Sequence, residues 1–364
     1  MVKKVILAMS GGVDSSVAAL LLQEQGYEVY GFFMNASPLG KPPWPSTIKW
    51  KDEEKTLRKI CKKLGIKLIV KNCEKGYEEK VIGPMFKDYE RGLTPNPDIL
   101  CNNVGKFPLL LKLAKEHGAD FIATGHYVRV RKGKKGYELL RGKDKKKDQS
   151  YFLVGLGQKY LSRVIFPVGG LTKEEVRNIA REAGFENWNK RGSRGICYLG
   201  KIDMKKFLRE RIKEKHVRVL DSDGNVIGTH PGTWFFTIGE KTGERKGFFL
   251  EKKFRKKYAG KKIYVARKEK GNVLVVAPFG HEILKLKKIW IKGLKFVNVK
   301  EKVNGKKFKA RIRHLGELYG GKLGKSKGRW IFEFSQGQEG VAEGQFIVLY
   351  DGERLVGGGE IRLR

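Results

Sequence analysis

Apolar and polar positions alternate in two different textures along the chain. Up to about residue 200, short apolar runs alternate with longer segments at helical spacing. Residues 5–9 form a continuous apolar run, the pattern of a strand buried on both faces of a parallel sheet. The turn Ser10-Gly11-Gly12-Val13-Asp14-Ser15-Ser16 follows, and then residues 17–22, an apolar stretch that predicts a helix. Strands are predicted at 27–34, 67–70 and 121–124, the last running into Gly125-His126, and helices at 52–64 and 104–116. Residues 36–50 hold Pro38, Pro42, Pro43 and Pro45 and predict an irregular loop. A basic hairpin is predicted within 129–147, around Arg131-Lys132-Gly133-Lys134-Lys135-Gly136, with further helices at 173–183 and 203–215.

From about Val217 the pattern changes to short β-prone runs separated by turns such as Asp221-Ser222-Asp223-Gly224. The runs lie at 217–220, 263–266, 273–277, 289–291, 308–312, 330–334, 346–350 and 360–363, the spacing of an all-β barrel or sandwich. The predicted architecture is a doubly wound, parallel-sheet α/β domain over residues 1–200, a small linking domain over 201–280 and a β-barrel over 281–364, with no internal repeat.

The order strand, Gly-rich turn, helix aims backbone N–H groups and a helix N-terminus at one point, which makes an anion site. Gly11 and Gly12 let a phosphate approach the backbone, and Ser10, Ser15 and Ser16 add hydroxyl donors. No Gly-Lys-Ser/Thr ending and no Gly-x-Gly-x-x-Gly is present, which excludes the P-loop and the dinucleotide fingerprint. The string instead resembles the pyrophosphate loop of the ATP pyrophosphatases, enzymes that adenylate a substrate and release pyrophosphate. In doubly wound sheets ligands bind beyond the carboxyl ends of the strands, so the loop, Met34 and Gly125 can share one nucleotide pocket.

Charge points to the partner. The formal net charge of +38 arises from 77 basic and 39 acidic residues. Adaptation to heat raises Glu along with Lys, so a two-fold basic excess is better explained by a polyanion, and nucleic acid is the natural one. The basic residues thicken over 252–262, and Arg311, Arg313 and His314 share one predicted strand, an arrangement suited to salt-sensitive phosphate contacts. No apolar stretch reaches the ~18 residues of a membrane span, and the N-terminus enters a strand without a leader pattern. Four cysteines in a chain this long are not a disulfide framework, and a cytoplasmic protein with free thiols is expected.

Two of those thiols sit in chemically suggestive loops. In Gly92-Leu93-Thr94-Pro95-Asn96-Pro97-Asp98-Ile99-Leu100-Cys101-Asn102 the prolines stiffen the backbone, so Asn96 and Asp98 project from a rigid loop. Cys101 is expected just before the 104–116 helix, where an N-terminus favours thiolate. Cys197 lies between Gly195 and Gly200 with Arg194 nearby, a second setting for a reactive thiolate. Cys61, in a helical pattern, and Cys73, at a strand exit, read as structural, and no Cys-x-x-Cys pair occurs.

Taken together, these strings resemble the bacterial tRNA-specific 2-thiouridylases. The similarity is carried, in order, by 9–16 (Met-Ser-Gly-Gly-Val-Asp-Ser-Ser), 92–102, 123–127 (Ala-Thr-Gly-His-Tyr), 147–153 (Lys-Asp-Gln-Ser-Tyr-Phe-Leu), 166–169, 195–200 (Gly-Ile-Cys-Tyr-Leu-Gly), 237–239, 343–345 and 357–359. The resemblance implies ATP binding by Ala8, Met9, Ser10, Gly11, Gly12, Val13, Asp14, Ser15, Met34 and Gly125, with Asp14 a ligand of Mg²⁺. It implies contacts to the target base from Asn96, Pro97 and Asp98, and to the tRNA from His126, Lys147, Asp148, Gln149, Arg311, Ile312 and Gln345. It makes Cys101 the nucleophile and Cys197 the persulfide carrier, with Asp98 beside them. The implied partners are the anticodon loop of tRNAs for Lys, Glu and Gln and a persulfide-carrying donor protein. Sulfur passes either directly from the Cys197 persulfide or as sulfide released by Cys101. A cluster-bearing thiolase, with an iron–sulfur centre on Cys101, Cys197 and Asp98, stays open, as do another pyrophosphate-loop ligase and a non-catalytic RNA-binding protein. The chain departs from the family pattern at Glu240-Lys241-Thr242-Gly243, Arg194 and Gly105, positions that bear on tRNA contact.

Overall fold

Strand β1 (Lys4–Met9) lies at the centre of a five-stranded parallel sheet because Val5, Ile6 and Leu7 have no polar face to offer solvent and are fully buried. In the computed structural model, which describes residues 2–35, 50–190, 192, 195–197, 199–200, 202–298 and 303–363, β2 (Glu28–Asn35) and β3 (Lys67–Asn72) flank it on one side. The proline-rich stretch 36–49 and the residues Ser193, Arg194 and Tyr198 lie outside the described residues. On the other side stands β4 (Phe121–Thr124). The chain then leaves this sheet for the hairpin β5 (Val128–Gly133) and β6 (Gly136–Arg141), and β7 (Val164–Ile165) completes the order β3-β2-β1-β4-β7. This is the expected doubly wound α/β domain, with helices Val13–Glu24, Trp50–Leu64, Phe107–Glu116 and Lys173–Glu182.

The second sheet holds β8 (Val217–Leu220), β9 (Val226–His230), β10 (Phe249–Leu250), β11 (Ile263–Glu269) and β12 (Val273–Pro278), in the order β10-β9-β8-β12-β11. The third holds β13 (Leu286–Phe296), β14 (Lys307–Arg311), β15 (Tyr319–Ser326), β16 (Arg329–Gln338), β17 (Phe346–Asp351) and β18 (Arg354–Arg362). Pairing of β13 with both β16 and β18 closes these six into a barrel around Ile289, Leu323, Phe332, Ile347, Leu349 and Ile361. The β5–β6 hairpin docks on the barrel through Arg354↔Leu140 and Leu355↔Leu139, so the first domain extends the sheet of the last.

Several local expectations change. The basic run after Glu251 is a helix, Lys252–Tyr258. The helix expected at 203–215 ends at Arg209, since Ile212 is buried and the Lys215 N–H is taken by the Pro231 carbonyl. Strand β14 ends at Arg311, leaving Arg313 and His314 in the turn beyond it. The largest change is at 104–116. Helix begins at Pro97, capped by Asn96 Oδ1 on Ile99 N–H, and runs through a π turn, Cys101–Lys106, into Phe107–Glu116. Pro108 accounts for the wide turn, because its ring clashes with a carbonyl four residues back and removes that hydrogen bond. The same pattern recurs at Glu78–Ile82, followed by Pro84. No described helix is long and apolar enough to cross a membrane.

Candidate active site

The anion loop is preformed. Gly11 adopts φ +71°, and a Cβ there would meet Glu53 Oε2 at 2.6 Å and its carbonyl oxygen at 2.9 Å. Gly125, at the end of β4, passes so close to the helix start that a Cβ would lie 3.0 Å from the Asp14 carbonyl carbon and the Ser15 nitrogen. Ser15 Oγ accepts from Ser10 N–H at 3.2 Å and donates to the Gly12 carbonyl at 3.0 Å. Asn187, which the sequence did not single out, braces the loop by donating to the Gly11 carbonyl at 2.9 Å and Ser16 Oγ at 3.1 Å. Ala8, Met9 and Val13 lie in or beside the loop, and Met34 is buried near the end of the adjacent strand β2.

Asp14 is the charged member of the loop. Its Oδ1 accepts from Tyr127 Oη at 2.7 Å and from Lys173 Nζ at 2.5 Å. Burial holds the Lys173 ammonium below its ordinary value despite Asp14. Lys173 reaches Asp14 from the first turn of the Lys173–Glu182 helix, which is fixed by a Thr172–Glu175 capping box. Among the described residues no group of three or more His, Cys, Asp and Glu side chains is arranged to hold a metal ion. Asp14 therefore fits Mg²⁺ as a single ligand beside phosphate and water oxygens, a common arrangement for that ion.

From Gly125 the chain leads to the sulfurs. His126, half-buried, shares a hydrogen bond with Thr124 Oγ1 at 2.7 Å and stacks on Phe107 at 6.2 Å. Burial, helped by Lys106, holds its imidazole well below the usual range, so it is neutral at pH 7. One residue before Phe107, Lys106 faces Cys101, Cys197 and Asp98. Cys101 and Cys197 are brought together and their side chains hydrogen bond, with Cys101 buried and Cys197 half-buried. Asp98 Oδ1 accepts the Cys197 N–H at 2.8 Å, and Tyr77 Oη donates to the Cys197 carbonyl.

This geometry corrects the expected electrostatics of Cys101. The thiol follows a complete helical turn instead of opening a helix, and the N-terminal field falls off within that turn. The hydrogen bond to Cys197, then burial, pushes the Cys101 thiol well up. Asp98 is also raised by burial, against the Cys197 N–H and Lys106. Cys61 is buried with its thiol pushed to about 11 by desolvation, and Cys73 packs at the end of β3.

The proline-rich loop is clamped by the barrel. Gln345 Nε2 donates to the carbonyls of Thr94 at 3.0 Å and Pro95 at 3.3 Å, and its Oε1 accepts from Asn96 Nδ2 at 3.3 Å. Pro97 opens the helical run, and Gln149 Oε1 holds the Tyr127 N–H at 2.9 Å. Of the remaining residues expected to meet tRNA, Lys147 is exposed, whereas Ile312 is buried and Asp148 and Arg311 form a buried ion pair at 2.7 Å. Their charged ends face each other rather than solvent. Tyr77, Lys106, Tyr127, Lys173 and Asn187 are the site residues that sequence reasoning missed. Of these only Lys106 carried a signal, the nearby Pro108 that imposes a wide turn.

Comparison with known proteins places this arrangement. Three family profiles match in order: the tRNA methyl transferase HUP domain over residues 3–201, the tRNA methyl transferase PRC-barrel domain over 205–278 and the aminomethyltransferase β-barrel domain over 286–361. The chain is 38% identical over 362 residues to the tRNA-specific 2-thiouridylase MnmA of Shouchella clausii, covering 98% of this chain and 96% of that one. It is 39% identical to the protein of that name from Malacoplasma penetrans, covering 99% and 98%, and 34% identical to that of Christiangramia forsetii, covering 99% and 100%. Matched along its whole length by proteins of that name, with both loop cysteines and the anion loop in place, the chain belongs to the tRNA-specific 2-thiouridylase family.

Proposed function

We propose that this protein replaces the 2-oxygen of the wobble uridine of tRNA by sulfur at the expense of ATP. The observation that carries the proposal is the hydrogen-bonded Cys101–Cys197 pair, linked to the anion loop through Lys106, Phe107, His126 and Gly125. An adenylating loop next to two sulfurs suits sulfur transfer, and a methyl transfer reaction needs neither.

The uracil 2-oxygen is a poor leaving group. Its attack on the α-phosphorus of ATP expels pyrophosphate and converts it to an adenylate. The N–H groups of the loop, Ser10, Ser15 and Ser16 receive the phosphates, Ala8, Met9, Val13, Met34 and Gly125 frame the nucleotide, and Mg²⁺ on Asp14 offsets phosphate charge. A persulfide is first loaded on Cys197 by a donor protein. In one route its terminal sulfur attacks C2 and AMP leaves with the old oxygen. Cys101 then attacks Sγ of Cys197, freeing the thiolated base and forming a Cys101–Cys197 disulfide. In the other, Cys101 attacks that sulfur first, and the released sulfide displaces AMP. Both routes end in a disulfide that a thiol reductant reopens.

Asn96, Pro97 and Asp98 meet the flipped base, whose extrusion costs little in an anticodon loop. His126, Lys147, Gln149 and Gln345, with the segments around Asp148, Arg311 and Ile312, line the tRNA path. The substrates are tRNAs for Lys, Glu and Gln, the site of action is the cytoplasm, and the divisions of labour follow residues 1–200, 201–280 and 281–364.

The test is anaerobic incubation with ATP, Mg²⁺, a sulfide source and unmodified tRNA, followed by digestion and mass spectrometry for 2-thiouridine. Product that disappears in Cys101→Ser and Cys197→Ser, with no iron in the protein, supports the reading. Product that depends on bound iron transfers the cysteines to a cluster. ATP consumption without thiolated base refutes it.

A further inference from the structure

Lys106 has no part in the scheme above, yet it is the cation nearest the chemistry. In an α-helix, at 3.6 residues per turn, a residue five positions on is rotated by about 140° and points away from the first. The turn Cys101–Lys106 closes over five residues instead of four, which swings Lys106 back over Cys101. There it faces Cys101, Cys197 and Asp98. The side chain is half-buried, and among the described residues no carboxylate lies within salt-bridge distance of it. An ammonium held out of bulk water without an ion-pair partner is costly unless something nearby is anionic. Asp98 is partly engaged by the Cys197 N–H, which leaves the sulfurs as the natural complement.

We propose that Lys106 is the counter-cation that holds the Cys101–Cys197 pair in a singly ionised state, one proton shared between two sulfurs, so that the sulfur at Cys197 is ready to act as a nucleophile. The second proton leaves to solvent through the half-buried Cys197 side, and the charge it leaves is balanced by Lys106. Cys101, buried and hydrogen-bonded to Cys197, is the member that keeps its proton. The other titratable groups facing this cluster are Asp98, on the same helical run, and His126, from the end of β4, which is neutral at pH 7 and does not compete for the charge. Burial alone lowers the Lys106 ammonium, but Cys197, Cys101 and Asp98 outweigh it, and it stays protonated. When the Cys197 sulfur carries a persulfide, the same cation faces the terminal anionic sulfur.

The inference rests on the sulfur-transfer reading, but its test needs neither tRNA nor ATP. The rate of Cys197 alkylation by iodoacetamide, read on its own peptide by mass spectrometry, is followed from pH 5 to 10. In the wild-type protein the midpoint is expected below the ~8.5 of a free cysteine. Lys106→Met should raise it by about one unit or more, roughly tenfold slower alkylation at pH 7, and Lys106→Arg should restore most of the loss. A Lys106→Met profile that superimposes on wild type overturns the proposal. If that variant fails to fold, Cys101→Ala decides: a Cys197 midpoint still below ~8.5 supports Lys106, and one at or above ~8.5 assigns the effect to the Cys101 hydrogen bond and overturns it. Loss of thiolated tRNA with an unchanged alkylation profile would count against the enzymatic reading alone.

Discussion

Arg311→Met leaves the volume of a long side chain in place while deleting a guanidinium that is 5% exposed. In the native protein its Nη1 donates to Asp148 Oδ2 at 2.7 Å, and the same oxygen accepts from Arg141 Nε at 2.8 Å. Asp148 Oδ1 accepts two backbone N–H groups, Gly142 and Ser150, both at 3.2 Å, and the carboxylate is fully buried. Breaking a buried pair costs about 3–5 kcal/mol, because it strands a charge. Here Asp148 keeps Arg141 and both backbone donors, so Arg311→Met belongs near the bottom of that range, about 3 kcal/mol. Asp148→Asn leaves two buried guanidiniums facing each other without their anion and belongs near the top, about 5 kcal/mol. Hydrogen exchange on peptides covering Lys307–Arg311 and Phe346–Asp351 reads this junction apart from global unfolding. Burial alone would raise the Asp148 carboxyl, but Arg141, Ser150 and Arg311 outweigh it and hold it below 3.8. A depressed folded value means the stabilisation is present above the unfolded value and is lost as pH falls through the folded one. The acid limb of stability below about pH 4 should therefore be shallower in Asp148→Asn. A cost under about 1 kcal/mol for Arg311→Met, or a smaller cost for Asp148→Asn than for Arg311→Met, would refute the reasoning.

Gly125→Ala puts a Cβ 3.0 Å from the backbone of Asp14 and Ser15, so the anion loop must move; ATP affinity by calorimetry should fall at least ~10-fold, about 1.4 kcal/mol, and unchanged affinity would exclude the close approach as the reason for glycine. Thr172→Ala removes the capping box ahead of Lys173 and should cost about 1 kcal/mol in thermal or denaturant unfolding, with no loss if the helix is held by packing alone. Gln345→Ala deletes three hydrogen bonds to the 94–96 loop, each worth about 1 kcal/mol, and should lower kcat/KM for tRNA while leaving ATP affinity intact. A parallel fall in ATP affinity would show that Gln345 acts through the fold and not through the loop.

The parallel sheet and its loop were legible because they are local. A fully buried strand has to be an unbroken apolar run, and an anion loop has to place its glycines and serines within a few residues, so Val5–Ser16 announces itself. The barrel strands were legible as β-prone runs, but β15, with Gly320, Gly321 and Gly324, was not, since glycine carries no pattern and Gly321 is required only by Phe332 and Glu333 across the sheet. The docking of β5–β6 on β18 was equally out of reach, because a basic hairpin reads as solvated until its partner strand is known. Charge misled in one specific way: Asp148 and Arg311 look like surface residues in the sequence and are buried because each satisfies the other. The thiol of Cys101 was misread for a geometric reason, since Pro97 opens a helical turn that two flanking prolines seemed to forbid.

The candidate chemistry sits where all three parts of the chain converge on the loop 92–98, and that placement has a physical consequence. Thr94 N–H donates to the Glu343 carbonyl at 2.7 Å, Gln345 ties down the next two residues, and a Cβ on Gly92 would touch Thr233 of the middle sheet at 3.7 Å. Asn96 in turn caps the run that carries Asp98, Cys101 and Lys106, and Asp98 holds the Cys197 loop. The sulfur pair is therefore positioned by a chain of contacts that begins in the barrel, about 250 residues away in sequence, and each link is one or two hydrogen bonds worth roughly 1 kcal/mol. Links that weak cannot hold a reactive geometry individually. They hold it because Gln345 and Glu343 are themselves fixed by a closed six-stranded sheet, so the rigidity of the barrel is transmitted to a loop that prolines have already stripped of most of its freedom.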